Sequence, residues 1–431
     1  VTTLIGARRY GDKDTNIGFI LTDSRSLCFP EETLFFALKS ERNDGHNYIP
    51  ELYRRGVRNF VVTNVPKGYA SDYPEANFLK VVNTLEALQR LAERHRDEFN
   101  IPIVGITGSN GKTMVKEWLY QLLSPSMFVT RSPRSYNSQI GVPLSVWLMN
   151  EQTEVGVFEA GISQPGEMLA LRDIIQPTIA VLTYLGSAHQ ENFESLEAKC
   201  REKIILFHDA ETIVYNGDDE IVSKVVGEYH DYKGEKLYWS QKDAEAPFFI
   251  KNIEKKNDLT IVTYIYKGEE DSYSLPFIDE ASVTNSIISA VVSRKLGLSA
   301  EDVDKRMSLL EPVAMRLEVK EGQHGCTLIN DSYNSDINSL DIALDFMSRR
   351  PDHKGRRHTL ILSDIFQSGE TPADLYKEVS DLCRKRGVVK FIGVGPQLYE
   401  QSDEIQISEK FFFRNVEEFI DLSLIHISEP T

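Results

Sequence analysis

The sequence predicts an α/β protein built from three domains. Strand-like and helix-like segments alternate along nearly the whole chain of 431 residues, and this alternation is typical of α/β folds. The apolar runs in the middle of the chain are continuous rather than alternating, which indicates a parallel sheet that is buried on both faces. The length is sufficient for roughly two to four domains, and breaks in the pattern separate three.

The first domain is expected at residues 1–99. Residues 59–65 are predicted to form a strand, and residues 84–99 a helix with apolar side chains at helical spacing. The sequence Asn-Ile-Pro at 100–102 interrupts the pattern. The boundary to the next domain is therefore placed there.

The second domain is expected at residues 100–312 and contains the continuous apolar runs. Its predicted strands are 101–107, 154–161, 178–185 and 212–216, followed by a hairpin strand at 258–266. Its predicted helices are 112–123, 195–207 and 284–298. Gly297 is expected to end the last of these helices.

The third domain is expected at residues 313–431 and has the pattern of a small Rossmann-like domain. Its predicted strands are 326–331, 358–364 and 389–395. Residues 423–431 do not continue the alternation, although a sheet of this kind needs further strands. We therefore expect this domain to be incomplete and residues 423–431 to be a non-native tail.

Composition excludes some classes of partner. The formal net charge is −17, which argues against a nucleic acid bound through a broad basic surface. No run of 18 apolar residues predicts a membrane span, and the start of the chain lacks the order of a signal peptide. The cysteines do not have metal or redox spacing, which indicates structural thiols in a reducing compartment. A cytoplasmic location is therefore expected.

The stretch GITGSNGKT at 105–113 indicates a phosphate-binding loop between a predicted strand and a predicted helix. Gly108 and Gly111 allow the main chain to approach a phosphate closely, and the first N–H groups of a helix attract anions. Lys112 adds a positive charge, and the Thr113 hydroxyl can bind Mg²⁺.

The loop departs from the Walker spacing, which places glycine at the position of Ile106. It is therefore either a phosphate loop of a different build or an ordinary glycine-rich turn before a helix. The flanking strand and helix favour the phosphate loop.

Polar residues follow two other strands of the same predicted sheet. Glu159 lies at the end of one strand and His189 just after another. Ligands of open α/β sheets collect at the carboxyl ends of strands, and a carboxylate there suits Mg²⁺. Each residue alone would be interpreted as structural or solvated. Both residues lie in the same predicted domain as the phosphate loop, which favours a binding site over the structural interpretation.

Two lysines, Lys199 and Lys203, lie four residues apart on one face of the helix predicted at 195–207. Periodicity alone predicts that they form a basic stripe in contact with solvent.

Six motifs in chain order, GITGSNGKT, FEAG, SAHQENF, EKIILF, NGDD and TNSIISA, resemble the Mur ligases, the ATP-dependent amide-forming enzymes of peptidoglycan synthesis. That family has a shorter phosphate loop, which explains the spacing at Ile106. The motifs TDSR, LFFALKS and DGH are similar to its uridine-nucleotide-binding front domain. The motifs IGVPLS, NDSYNSDINSL and LSDIFQSGE resemble the member that adds D-alanyl-D-alanine to UDP-N-acetylmuramoyl-tripeptide. The resemblance covers about residues 17–400.

The resemblance implies a central P-loop ATPase domain flanked by an N-terminal substrate domain and a C-terminal Rossmann-like domain. The residues implied to bind ATP are Gly108, Ser109, Asn110, Gly111, Lys112, Thr113, Asn285, Arg316 and Asp331. Those implied to hold Mg²⁺ are Thr113, Glu159, His189 and Lys203. Those implied to act in catalysis are Lys112, Glu159, His189 and Lys203. Those implied to bind the UDP-peptide are Ser24, Arg25, Lys39, His46 and Asn137.

Lys203 matches the lysine that the family carbamylates with CO₂. This modification needs a neutral amine, so Lys203 should be desolvated or crowded by cations. The carbamate would then be an anionic oxygen ligand for Mg²⁺. That implication opposes the solvated stripe predicted from periodicity.

The chain also departs from the family pattern. The segment NSDI at 334–337 lacks a proline that the family shows there, Ser40 replaces a glycine, and a late Lys-Gly-Ser-Arg strand is absent. The first two departures concern fine substrate contacts rather than the reaction class, and the absent strand agrees with the expectation that the third domain is incomplete.

The implied activity is an ATP-dependent, ADP-forming carboxylate–amine ligation through an acyl phosphate. One alternative is another ligase of the superfamily, such as folylpolyglutamate synthase, which the TDSR and DGH motifs disfavour. The other is a nucleotide-binding protein without turnover, against which Lys112, Glu159 and Lys203 argue. The third residue of the tripeptide (diaminopimelate or lysine), the oligomeric state and a fused alanine racemase stay open.

Overall fold

The computed structural model describes residues 1–40, 43–186, 190–230, 232–256, 258–313, 318–321, 326–331, 337–349, 357–365 and 371–420. The chain folds as two compact units. The first unit contains Val1–Gly105, Phe128–Ala160 and Leu169–Pro177, and the second contains Ile106–Met127, Gly161–Met168 and the chain from Thr178 onward. The predicted domain boundaries at 99/100 and 312/313 stay predictions.

The described part of the chain before residue 100 contains short strands and three helices. The strands are β1 Arg8–Tyr10, β2 Phe19–Leu21, β3 Thr33–Phe36, β4 Asn59–Val62 and β5 Asn77–Lys80. The helices are α1 Ile49–Arg54, α2 Tyr69–Asp72 and α3 Thr84–Arg96. Three 3-10 turns lie at Ser24–Ser26, Pro30–Glu32 and Gly45–Tyr48. The strand predicted at 59–65 and the helix predicted at 84–99 are confirmed.

The strands of this segment form one sheet in the order β1-β5-β4-β3-β2. Strand β1 is antiparallel to β5, and the others are parallel. Alternate residues of the strands enter two separate apolar cores. Phe35 and Phe60 pack with Leu52 of α1, whereas Phe36 and Leu34 pack in the core that contains residues of α3. Both faces of this sheet are therefore buried, as in other parallel sheets.

The middle of the chain alternates strands and helices. The strands are β6 Ile103–Thr107, β7 Val129–Arg131, β8 Val155–Glu159, β9 Ile179–Leu182, β10 Thr212–Asn216, β11 Glu235–Ser240, β12 Phe248–Lys256, β13 Leu259–Tyr266 and β14 Glu269–Leu275. The helices are α4 Lys112–Leu123, α5 Gly141–Val146, α6 Glu167–Ile175, α7 Leu196–Lys203, α8 Glu220–Gly227, α9 Glu280–Lys295 and α10 Ala300–Met307. Further 3-10 turns lie at Gln190–Asn192 and Ile204–Phe207.

Strands β9 to β12 of the second unit pair in parallel, and β12, β13 and β14 continue as antiparallel neighbours. In the first unit β7 and β8 are parallel. The strand predicted at 212–216, the helix predicted at 112–123 and the hairpin strand at 258–266 are confirmed. Helix α9 begins before residue 284 because Asp279 caps it, accepting a hydrogen bond from the Ser282 N–H at 2.8 Å. It ends before Gly297, whose φ is +98°, as predicted.

The last described part of the chain contains strands β15 Glu318–Glu321, β16 Thr327–Asn330, β17 His358–Ser363, β18 Val388–Val394 and β19 Glu409–Phe413. Its helices are α11 Ile337–Arg349, α12 Pro372–Lys385 and α13 Pro396–Glu400. Strands β17, β18 and β19 form a parallel sheet. The strands predicted at 358–364 and 389–395 are confirmed.

The strand predicted at 326–331 is present as β16, but it pairs antiparallel with β15. The predicted tail at 423–431 lies outside the described residues. The α/β fold class is confirmed. In the described part of the chain, no helix has the length and apolar character needed to cross a membrane.

Candidate active site

The phosphate loop joins the end of β6 to the start of α4, and both of its inner glycines are required by the backbone and by space. Gly108 has a φ of +146° and Gly111 a φ of +87°, which side chains strongly disfavour. A Cβ atom on Gly108 would lie 2.0 Å from Thr183 Oγ1, and one on Gly111 would lie 2.5 Å from Asn285 Oδ1. The loop is therefore a cradle that only glycine can form at these two positions.

The segment that follows β9 holds the loop in place. The Thr183 hydroxyl lies 3.2 Å from the Thr107 carbonyl and 2.5 Å from the Asn110 carbonyl. The Ser109 hydroxyl donates to the carbonyl of Gly186 at 3.0 Å and accepts from the Gly186 N–H at 2.9 Å. The Ser109 side chain thus fixes the loop from inside the protein.

The Lys112 side chain folds back over the loop. Its ammonium donates to the carbonyls of Gly108 at 2.8 Å and Ser109 at 3.1 Å. The residue before helix α4 is Gly111, so no side chain caps the helix. Thr113 lies in the first turn and is 9% exposed. Positive charge and the positive end of the helix dipole therefore face the same loop.

Two lysines of α7 are buried beside the loop. Lys203, which is 2% exposed, donates from Nζ to the carbonyl of Gly108 at 3.2 Å. Lys199, which is 1% exposed, donates to the carbonyl of Gly186 at 2.5 Å. Burial, and then the positive charges of Lys112 and Lys199, hold the pKa of Lys203 well below its usual range. The expected desolvated, cation-crowded lysine is therefore present.

The solvated basic stripe predicted from periodicity is wrong, because Lys199 and Lys203 are both buried. The solvated face of α7 instead contains Glu197 and Arg201, which form an ion pair at 2.8 Å. Glu197 also pairs with Lys224 of α8 at 2.9 Å. Both faces of this short helix are charged, so its sequence does not indicate which one is buried.

Glu159 ends β8 in the first unit and is fully buried. Asn137 donates from Nδ2 to Glu159 Oε2 at 3.4 Å, and the Glu159 N–H donates to Ser132 Oγ at 3.2 Å. Asn137, predicted to contact the UDP-peptide, thus orients this carboxylate. In the described part of the chain, unmodified His, Cys, Asp and Glu side chains form no group of three suited to a metal ion. The predicted metal set uses a modified Lys203 and His189, which lies outside the described residues.

The residues predicted to contact the nucleotide beyond the loop are only partly described. Asn285 lies in α9, is 7% exposed and packs against Gly111. Asp331 follows β16 and is half-buried. Arg316 lies outside the described residues.

The front-segment candidates lie after strands β2 and β3. Ser24 and Arg25 are in a 3-10 turn capped by Asp23, and Arg25 also forms an ion pair with Asp23 at 2.6 Å. The Lys39 ammonium lies 4.0 Å from Asp44 Oδ2, with 70% of its side chain exposed. The two cationic side chains are thus accessible to an anionic ligand.

His46 differs from these because both of its ring nitrogens are bonded within the first unit. Nε2 accepts from the Thr63 N–H at 3.0 Å, so the ring proton is on Nδ1, which lies 2.6 Å from Asp44 Oδ1. A Cβ atom on the neighbouring Gly45 would lie 2.8 Å from main-chain atoms of Ala37. In this conformation His46 connects the turn to the end of β4 rather than presenting a ring nitrogen to a ligand.

Sequence reasoning missed several residues that shape the site: Thr183, Ser132, Thr63 and Lys199 as a buried donor. Thr183 lies near the predicted end of β9, so the sequence indicated its region but not its contacts. The other contacts join residues that are distant in sequence, and no local pattern indicates them.

The comparisons with known proteins agree with this geometry. The Mur ligase middle domain matches residues 106–293. The UDP-N-acetylmuramoyl-tripeptide--D-alanyl-D-alanine ligase of Bacillus subtilis (strain 168) is 28% identical over 382 residues, which cover 85% of this chain and 77% of that protein.

Two solved structures have the same fold. Crystal structure II of MurF from Acinetobacter baumannii has a TM-score of 0.83 at 22% identity and covers 100% of this chain and 92% of its own. MurF ligase from Thermotoga maritima, solved in complex with ADP, has a TM-score of 0.76 at 23% identity, with 95% and 91% covered. The resemblance found in the motifs is confirmed, and the middle of the chain, residues 106–293, is a Mur ligase middle domain.

Proposed function

We propose that this chain is an ATP-dependent, ADP-forming ligase that joins D-alanyl-D-alanine to UDP-N-acetylmuramoyl-tripeptide in peptidoglycan precursor synthesis. The carrying observation is the buried Lys203, whose Nζ contacts the phosphate loop at Gly108 and whose pKa is lowered by burial and by Lys112. The name of the Bacillus subtilis relative describes this reaction.

The loop suits a nucleotide polyphosphate. At Gly108 and Gly111 a Cβ atom would collide with Thr183 and Asn285, so the loop keeps a bare main chain there, and Lys112 supplies a cation from the first position of α4. Phosphate groups bind where main-chain N–H groups and a lysine converge on a helix start. Asn110 would contribute its main chain, whereas Ser109 would shape the loop around the phosphates, because its hydroxyl is bonded to Gly186 and its N–H donates to the Tyr184 carbonyl at 2.6 Å. Asn285, Arg316 and Asp331 are proposed to contact the rest of ATP.

Lys203 is proposed to carry a carbamate. Its neutral amine would attack CO₂, form an N–C bond and release a proton, leaving an anion where the lysine was. A buried cation beside Lys112 and Lys199 is unfavourable, so the modification would relieve repulsion. Mg²⁺ would be held by this carbamate with Thr113, Glu159 and His189, because oxygen ligands suit that ion.

ATP would supply the phosphoryl group that turns the substrate carboxylate into an acyl phosphate. The residues of the chain would align the reactants and neutralise charge. Lys112 would face the oxygens that gain charge, and the buried surroundings of Lys203 would exclude water. Phosphate would leave when the neutral amine of D-alanyl-D-alanine attacks.

The front segment is proposed to hold the UDP part of the peptide substrate. Ser24, Arg25 and Lys39 are its contact residues, and His46 would position the segment after β3, which contains Lys39, through Asp44 and Thr63. We keep three domains in this proposal: 1–99 for the UDP-peptide, 100–312 for ATP, and 313–431 closing on the nucleotide. A cytoplasmic location follows from these precursor substrates.

A ligation assay tests the proposal. ADP release should require both UDP-N-acetylmuramoyl-tripeptide and D-alanyl-D-alanine, and free amino acids should not replace the dipeptide. Turnover with a folate and glutamate would instead support the folylpolyglutamate synthase alternative. ADP binding without ADP release under every substrate pair would support a nucleotide-binding protein without turnover.

A further inference from the structure

A polar cavity lies in the first unit, away from the residues proposed to bind substrate. Its volume is about 170 Å³, and its wall includes Leu34, Asn59 and Asn77. Asn59 and Asn77 are the first residues of β4 and β5, whereas Lys39 follows the carboxyl end of β3. The cavity therefore lies at the amino edge of the parallel strands, opposite the edge where ligands of such sheets bind.

A chain of hydrogen bonds fixes the side chains of its wall. Arg9 donates from Nε and Nη2 to Asn77 Oδ1, at 3.3 and 3.2 Å. Because a guanidinium is only a donor, Asn77 must present its oxygen to Arg9. Its Nδ2 then donates to the Lys13 carbonyl at 2.9 Å and to Asn59 Oδ1 at 2.9 Å. Thr15 adds a second hydrogen bond to Asn59 Oδ1 at 2.8 Å.

In this network one side-chain donor has no acceptor among the described residues. Asn59 cannot flip, because its oxygen receives the Asn77 amide. Asn59 is 4% exposed, and among the described residues its Nδ2 has no hydrogen-bond partner. A buried N–H group without an acceptor is unfavourable, so the cavity needs an acceptor atom that the described chain does not supply.

The charges of the wall indicate what kind of acceptor it is. Arg9 and Lys13 are both part of the wall, and Asp14 is the acidic residue among the described wall residues. Arg9 pairs with Asp14 at 3.4 Å and Lys13 pairs with Glu75 at 3.4 Å, but in each pair the carboxylate is the more exposed side chain, at 100% against 34% and at 57% against 46%. Solvent screens the carboxylate more than the guanidinium. The local field therefore favours an anion over a neutral acceptor.

We propose that this cavity binds a small oxyanion, a carboxylate or a phosphate group, with one oxygen accepting the hydrogen bond from Asn59 Nδ2. The ligand would bridge the amino ends of β4 and β5 and complete the network that starts at Arg9. This site is independent of the proposed ligase activity, since none of its residues belongs to the phosphate loop or to the proposed substrate site.

Thermal unfolding of the full chain tests the site. The midpoint would be measured against sodium phosphate and, separately, sodium acetate, with ionic strength held constant by sodium chloride. Asn59→Leu removes the donor. Lys13→Glu reverses a charge on a side chain that is 46% exposed, so the fold should tolerate it. Lys67→Glu makes the same change on an exposed lysine that is not part of the wall and is the matched control.

The wild type and the three variants all keep the phosphate loop. Anion binding to that loop therefore shifts the unfolding midpoint equally in all four proteins and cancels when they are compared. A ligand that binds the native state raises the midpoint with concentration. Lys13→Glu should weaken the anion-dependent part by about tenfold in Kd, Asn59→Leu should remove it, and Lys67→Glu should match the wild type. If the variants differ in the phosphate titration, the ligand is a phosphate group. If they differ in the acetate titration, it is a carboxylate.

Equal anion dependence of Lys13→Glu and Lys67→Glu in both arms would overturn the proposal, even if Asn59→Leu does not fold. A crystal structure at 50 mM phosphate or acetate that shows only water at Asn59 Nδ2 would overturn it as well. Density for the anion there would support it.

Discussion

The Lys203 ammonium nitrogen lies 3.2 Å from the main-chain oxygen of Gly108, the first glycine of the phosphate loop. Lys112 donates to the same oxygen at 2.8 Å. Two lysines therefore converge on one carbonyl, and one of them, Lys203, is only 2% exposed. Such an arrangement favours the neutral form of the buried amine, which is the form that can react with CO₂.

Replacing Lys203 with alanine should reduce ligation by roughly 10²–10³-fold, the range found when one group that stabilises a transition state is removed. Acetate or formate at millimolar concentration should restore part of the rate, because a small carboxylate can occupy the space of the carbamate. The measurement is the rate of ADP release with both substrates, with and without the acid. An unchanged rate in Lys203→Ala would remove the carbamate from the mechanism.

Lys199→Met should impair the loop without being rescued by acetate. Lys199 donates to the Gly186 carbonyl, which also accepts from Ser109 of the phosphate loop. Losing this contact should displace the loop and raise KM for ATP by roughly tenfold, since small misplacements are costly in such sites. Lys224→Met, on the solvated side of α8, is the matched control. Equal KM values for the two variants would contradict the positioning role.

Gly111→Ala should abolish tight ADP binding. The new Cβ atom would meet Asn285 Oδ1 at 2.5 Å in addition to the strain of a φ of +87°. Gly268→Ala separates the two effects, because Gly268 has a φ of +81° and open space around it. Both variants should lose about 1 kcal/mol of stability from backbone strain. Titration with ADP should show weak binding for Gly111→Ala but not for Gly268→Ala. Wild-type affinity for ADP in Gly111→Ala would contradict the claim that this loop binds the phosphates.

The lowered pKa of Lys203 predicts a pH dependence of stability. Between this lowered pKa and the ordinary value of 10.5, the unfolded chain binds a proton that the native state does not. The free energy of unfolding therefore rises with pH in this window, and the contribution of one such group is about 1.4 kcal/mol per pH unit.

Denaturant unfolding between pH 7 and 9 in buffer free of CO₂ measures this contribution. The wild type should gain stability with pH relative to Lys203→Met, which lacks the titrating amine. Parallel pH profiles of the two proteins would show that Lys203 has an ordinary pKa in the native state.

The elements set by local chemistry could be predicted from the sequence. Helix α4 and strand β10 have the predicted bounds, because a glycine precedes the one and a continuous apolar run forms the other. The role of the two glycines in the phosphate loop could also be predicted, because few other residues allow a positive φ and a close approach of the main chain to a ligand.

Contacts between distant residues could not be predicted. The burial of Lys199 and Lys203 depends on which charged face of α7 lies against the loop, and the bonding of His46 depends on Thr63, 17 residues away in the chain. Strand β16 was predicted, but its antiparallel partner β15 was not, because pairing depends on the path of the chain between strands. Periodicity determines the type of an element but not its neighbours.

The formation of a carbamate on Lys203 is the central claim, and ¹³C NMR of the protein in ¹³C-bicarbonate tests it most directly. The account predicts one carbamate resonance in the wild type that is retained in Lys224→Met and absent in Lys203→Ala. A wild-type spectrum without a carbamate resonance, or a resonance that persists in Lys203→Ala, would contradict the account.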